Sequence, residues 1–269
     1  MAATPAKRDE ASIDAQSVVS NLFKSIDKVR TLTYTMIYSE RLDEEKIHTD
    51  SNRVKYQKYP LKVYVKSSDD TEVLWPVDEG NSDAYVHPHS FPYITLKLDP
   101  DGSIMRKDQH HGVESCGYAY FCDILKQSAS KEANTFDSHF LYLGEVVYNG
   151  LKCYKLAVIQ PEFKYVPYVV LKGETVISIA RKLMLSEYMI VQHNNLSSYT
   201  DVSTGQTIMV PSTYAKSMTL CIDKATMLPA LIRVEDEKGL FEQYVFKNVR
   251  LNPALSEMDF SKKNENYHF

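Results

Sequence analysis

Residues 165–212 read YVPYVVLKGETVISIARKLMLSEYMIVQHNNLSSYTDVSTGQTIMVPS. The run Tyr168-Val169-Val170-Leu171 has the aromatic and β-branched content of a strand, and Lys172-Gly173-Glu174-Thr175 interrupts it. From Val176 the apolar positions fall at Val176, Ile179, Ala180 and Leu183, which is one face of a helix. Thr175 can cap the free amides of its first turn, and Glu174 sets a negative charge at the positive end of the helix dipole. A second helical run starts at Ser186, another good N-cap, and passes through Tyr188, Met189, Val191 and Gln192 to Asn194-Asn195. Thr204-Gly205-Gln206 then turns the chain into Thr207-Ile208-Met209-Val210 and Pro211. The predicted order is strand, helix, helix, strand, a small unit set inside a larger domain.

The flanking chain reads mainly as antiparallel sheet. A polar start leads to an amphipathic helix from Ser12 to Arg30, with Ala15, Val18, Leu22, Ile26 and Val29 on one face and Ser12 as cap. Leu32, Tyr34, Met36 and Tyr38 then alternate with Thr33, Thr35, Ile37 and Ser39, the pattern of a half-buried strand. Further strands are expected at Ile47 to Tyr56, Leu61 to Lys66, Glu72 to Trp75, Ala84 to Val86 and Tyr93 to Leu98, with a turn at Gly80-Asn81. Helical spacing returns from Val113 to about Ser128. Asn149-Gly150 between two alternating runs is a strong hairpin signal joining His139 to Tyr148 with Leu151 to Ile159. After residue 212 the sheet resumes with Ser217 to Ile222, Leu228 to Glu235 and Leu240 to Leu251. If the strands on either side of the unit pair with each other, the unit replaces a hairpin turn, and its excision is expected to leave a folded host.

Composition sets the class. The chain has 269 residues, 43% hydrophobic and 25% charged, which is ordinary for a globular protein. A net charge of −4 with no basic stripe argues against a nucleic-acid partner, and no apolar run approaches the ~20 residues of a membrane-spanning helix. The start lacks the apolar core of a secretory signal peptide. Cys116, Cys122, Cys153 and Cys221 show no C-x-x-C spacing, so a zinc site of that type is not expected. Cys153 and Cys221 flank the unit and could pair if their segments are neighbours, although scattered cysteines are more often buried free thiols.

The run Tyr-Val-Val-x-Lys-Gly-Glu-Thr, followed by Ser178-Ile179-Ala180, Asn194 and Gly205-Gln206-x-Ile-x-Val-Pro, resembles a LysM domain. The resemblance implies a shallow groove for N-acetylglucosamine glycans of the peptidoglycan or chitin type. Its walls would be Gly173, Glu174, Thr175 and Val176 on one side and Asn195, Leu196 and Ser197 on the other. Glu174 stands where Asp is more usual, and Leu183-Met184-Leu185 replaces the customary aromatic-Gly exit from the first helix. The host, with YITLKLDPDGSIMR at 93–106, His110-His111 and the ending Tyr267-His268-Phe269, resembles an uncharacterised bacterial family with the lipoprotein-carrier (LolA/LppX-like) fold. That implies an α+β fold: a strongly curved antiparallel sheet, or half-barrel, with covering helices and an inserted βααβ LysM module. The implied domains are a discontinuous host at 12–164 and 213–269 and the module at 165–212. The implied hollow is apolar and able to take an acyl chain.

Catalytic chemistry finds less support. His87-Pro-His89 and Asp108-Gln-His110-His111 contain metal-ligating types, but their spacing matches no known site, so no metal or other cofactor is expected. Glu114 and Asp123 are carboxylates near opposite ends of one helix, a poor arrangement for paired acid and base work. No G-x-S-x-G or H-E-x-x-H occurs. The expected function is therefore non-catalytic: a periplasmic or cell-envelope protein, its signal removed, that binds peptidoglycan through the module and holds a lipid, lipoprotein or protein partner in the host. The alternative is a wall-modifying enzyme targeted by the module. Facing carboxylates or clustered histidines in a cleft would favour that alternative.

Overall fold

The computed structural model describes residues 13–42, 46–76, 82–91 and 93–269. Ser12 and the Gly80-Asn81 turn lie outside them. Helix α1 (Ala15–Asp27) is followed by β1 (Thr31–Arg41), β2 (Ile47–Gln57), β3 (Lys62–Ser67), β4 (Glu72–Trp75), β5 (Ala84–His87) and β6 (Leu96–Leu98). A connecting segment leads to α2 (Ala119–Lys131), α3 (Phe136–His139) and the hairpin of β7 (Phe140–Tyr148) and β8 (Leu151–Ile159). Then come β9 (Tyr165–Val169), α4 (Val176–Leu183), α5 (Glu187–His193) and β10 (Thr207–Pro211). The last strands are β11 (Ser217–Asp223), β12 (Pro229–Asp236) and β13 (Gly239–Leu251).

Eleven strands form one sheet in the order β6-β5-β4-β3-β2-β1-β13-β12-β11-β8-β7, and its neighbours are antiparallel. The chain runs outward from β1 to one edge, and the later strands fill the other side back to β13. β8 and β11 are direct neighbours, with Leu156 opposite Leu220, so the unit between them does occupy a hairpin position. The core lies on one face, where Leu32, Leu156, Leu220 and Phe241 from the sheet meet Leu22 of α1 and Leu125 of α2, each fully buried. Cys153 and Cys221 join Ala230, Leu231 and Val245 in a smaller cluster on the opposite face, as alternation requires, and all four cysteines are free thiols.

Two local expectations are corrected. The cap of α1 is Asp14, whose carboxylate accepts the Ser17 amide at 2.8 Å. The helix expected from Val113 breaks at Gly117, and α2 begins only at Ala119. Gly117 has φ of +84°, and a Cβ there would sit 3.0 Å from the Tyr56 ring, so the backbone turns where only glycine fits.

In residues 165–212, β9 pairs antiparallel with β10, and Thr175 and Ser186 cap α4 and α5. Val176, Ile179, Ala180, Ile190 and Val210 make a small core of their own. The unit is nevertheless built into its host. Met189 of α5, 1% exposed, belongs to the main core. Arg181 of α4 grips Asp101 with two hydrogen bonds of 2.9 and 2.7 Å and reaches Glu114 at 2.6 Å. The Arg106 guanidinium lies 4.8 Å from the centre of the Tyr199 ring and 3.2 Å from Glu187. A module able to leave freely would not share buried side chains and buried charge in this way.

Candidate functional site

Alternation along β1 sends Tyr34, Met36, Tyr38 and Glu40 to one face, and alternation along β13 sends Phe246, Tyr244 and Glu242 to the same face. The register sets Met36 opposite Phe246, Tyr38 opposite Tyr244 and Glu40 opposite Glu242. These pairs form the floor of a cavity of about 230 Å³. Val65 of β3, Val73 of β4 and Ile232 of β12 form its sides, and Tyr120, Phe121 and Ile124 of α2 with Met105 and Val113 form its roof. Six adjacent strands laid flat would span roughly 24 Å at ~4.8 Å per interval. Strands as far apart as β4 and β12 line one small space, so the sheet curls around it. The cavity is smaller than the ~300 Å³ at which ligand sites usually begin, because tyrosines fill part of the hollow. Helix α1 packs beside it against α2, α3 and β7 and contributes no lining residue.

The cavity is graded. Along β1 and β13 the floor passes from Met36 opposite Phe246 to Glu40 opposite Glu242, and His111, Tyr214 and Tyr244 stand with the two carboxylates. Tyr214 donates to Glu242 Oε1 at 2.7 Å and lies 3.1 Å from His111 Nε2, which is 3.2 Å from Glu242 Oε2. Tyr244 donates to Glu40 Oε1 at 2.7 Å. Behind them His110, fully buried, has Nδ1 2.9 Å from Glu242 Oε2, Nε2 3.2 Å from the Arg41 carbonyl, and its amide on Glu40 Oε2 at 3.0 Å. The Tyr188 ring of α5 and the Phe241 ring both pack against the His110 ring, at 4.3 and 4.2 Å. Arg41 pairs with Asp236 beneath, both buried.

Charge in this cluster is stabilised by neighbours and not by water. Burial opposes a charge on His111, but Glu242 beside it, through its charge and a hydrogen bond, pushes the imidazole up to about 9. Burial likewise opposes ionisation of Glu242, yet His111 and the bond from His110 hold it well below the usual carboxylate range. Burial and the nearby carboxylates keep Tyr214 and Tyr244 protonated as donors. His111 Nδ1 has no hydrogen-bond partner, which leaves one polar position in the cluster unspent.

The residues singled out from sequence are only partly brought together. His110 and His111 join the cluster, whereas His87 bonds Thr95 and stacks on His268. Glu114 is tied to Arg181, and Asp123 is exposed on α2, so they form no pair. Of the expected glycan-binding residues, Gly173, with φ of +81°, and Asn195 are exposed in their loops. Glu174 accepts from the Leu171 amide and Tyr168, Thr175 caps α4, and Ser197 bonds Asp201. Leu196 packs on the small core, and the Val176 side chain is fully buried in it. Missed from sequence were Glu40, Glu242, Tyr214 and Tyr244. One further step of the Tyr34-Met36-Tyr38 alternation would have reached Glu40.

A family model described as a protein of unknown function, DUF1571, matches residues 29–186 and 188–269. The chain belongs to the DUF1571 family. This family match runs across both edges of residues 165–212 and gives no support to a separate LysM module there. No curated protein matches the DUF1571 chain. Among solved structures, it is similar to LprF from Mycobacterium bovis, with 11% identity over 90% of this chain and 94% of that one and a TM-score of 0.43. Mycobacterium tuberculosis lipoprotein LppX gives 9% identity over 90% and 97%, with a TM-score of 0.39. A chain of the Pseudomonas aeruginosa MucA/MucB complex gives 14% identity over 92% of this chain and 60% of that one, with a TM-score of 0.40. At such scores these likenesses carry no functional weight, and function is read from the cavity itself.

Proposed function

We propose that this protein is a non-catalytic carrier of the cell envelope whose cavity receives an acyl chain, from a lipid or a lipoprotein, with a polar head group. The observation behind this reading is the grading along the cavity floor, from Met36 and Phe246 to Glu40 and Glu242 with His111 and Tyr214 beside them. An acyl tail gains from leaving water at the first end. A carboxylate or ester head finds the cationic His111 and its unpartnered Nδ1 at the second. Cleavage of a wall polymer is less well supported, although carboxylates and histidines do converge. Glu40 and Glu242 are 3% and 1% exposed, whereas a glycan strand needs an open groove. Native mass spectrometry of the purified chain and titration with a fluorescent fatty acid test the reading. It expects co-purified lipid or saturable probe binding, and the absence of both removes it.

A second reading keeps glycan binding at residues 165–212. It rests on the βααβ order and on the Val176 amide bonded to the Tyr199 carbonyl at 2.9 Å, which joins the two loops that would form a groove. Binding to insoluble peptidoglycan or chitin would be weak, about −4 to −8 kcal/mol, since one shallow groove offers few contacts. Gly173→Val places a β-branched residue at a positive φ and is expected to abolish pull-down while the host stays folded. Undiminished pull-down by the variant would remove the assignment.

A further inference from the structure

Glu40 and Glu242 face each other across the β1–β13 ladder, both buried, and carboxylates directly opposite on one sheet face repel. His110 stands against both. Its Nε2 lies 3.2 Å from the Arg41 carbonyl, a group that only accepts, so that nitrogen carries hydrogen. Nδ1 is then the lone-pair nitrogen of a neutral imidazole, and it points at Glu242 Oε2 from 2.9 Å. Two acceptors in that position require something positive between them. Either His110 takes a second proton or a cation bridges the three groups.

We propose that His110 Nδ1, Glu40 and Glu242 form a binding site for a divalent transition-metal ion at the polar end of the cavity. The three ligand atoms already lie within 4.8 Å of one another. Zinc bonds of about 2.0–2.2 Å are reached from there by side-chain adjustments of about an ångström. Imidazole with carboxylates suits zinc, iron or manganese better than calcium or magnesium. The outer shell has the form that metal-bound histidine usually takes, its second ring nitrogen donating to a backbone carbonyl, here that of Arg41. Tyr244 donates to Glu40 and Tyr214 to Glu242, which orients both carboxylates. Because Glu40 and Glu242 line the cavity while His110 stands behind them, the open coordination position faces the cavity. The site goes beyond the carrier reading and stands or falls separately from it.

The test is titration of the chelator-stripped full chain with Co2+, followed by visible absorption and calorimetry. The expected result is uptake of about one equivalent with nitrogen and oxygen ligation, weakened at least ~10-fold in Glu40→Gln and unchanged in His87→Ala. Absence of saturable uptake overturns the site, as do a thiolate charge-transfer band or undiminished affinity in a folded Glu40→Gln. Should that variant not fold, spectra of nitrogen-labelled histidine in the wild-type chain decide. Zn2+ shifts His110 Nδ1 if the site is correct and leaves it in place if the second proton alone neutralises the cluster.

Discussion

Replacing Glu242 by alanine is expected to cost about 3–5 kcal/mol of folding stability in the metal-free chain, the range for removing one partner of a buried charged pair. The carboxylate is 1% exposed, accepts from Tyr214, and stands 2.9 and 3.2 Å from ring nitrogens of His110 and His111. Without it, His111 loses the charge that keeps it protonated, and Tyr214 loses its acceptor in a place water does not reach. Relief of the repulsion from Glu40 returns part of the loss, because the two stand opposite each other. Urea unfolding of wild type and variant measures the difference. A change below ~1 kcal/mol would mean that the cluster behaves like solvated surface charge.

Excision of residues 165–212, closed by a short glycine-containing turn, is expected to leave the β8–β11 pairing in place but to destabilise the host severely. Loss of the Met189 side chain alone is worth ~2–5 kcal/mol by comparison with methionine-to-alanine substitutions in cores. Excision also removes Tyr188 from the His110 ring and Glu187 from the buried Arg106. Arg106 then keeps only the longer pairing with Glu114, at 3.8 Å, which adds to the loss. Thermal unfolding with circular dichroism reports the result. A deletion product that melts cooperatively at the wild-type midpoint would show that the unit is a separable module after all, as its sequence alone suggests.

Local structure was legible where local rules decide it. The alternation from Leu32 to Tyr38, the Asn149-Gly150 hairpin and the Thr175 and Ser186 caps all depend on neighbours within a few residues, and each appears where its signal lies. The hinge at Gly117 was hidden because its cause is the Tyr56 ring on β2, distant in sequence. Docking of α5 was equally hidden: Met189 fits a helical pattern whichever core it enters. The polar cluster was half legible. His110-His111 is conspicuous as a pair, but its partners Glu40 and Glu242 come from strands whose adjacency only the topology reveals. Glutamate in a strand otherwise reads as solvent-facing, so both were passed over.

The cavity is the centre of this account, and the measurement that tests it most directly compares fluorescent fatty-acid binding by the wild-type chain and by Val73→Phe. Val73 lines the side of the cavity on β4, and the larger ring would fill space from that wall. The account predicts saturable binding by the wild type and at least ~10-fold weaker binding by the variant, a loss of about 1.4 kcal/mol or more, with both proteins folded. Equal affinity in the two proteins, or no saturable binding in either, would contradict it.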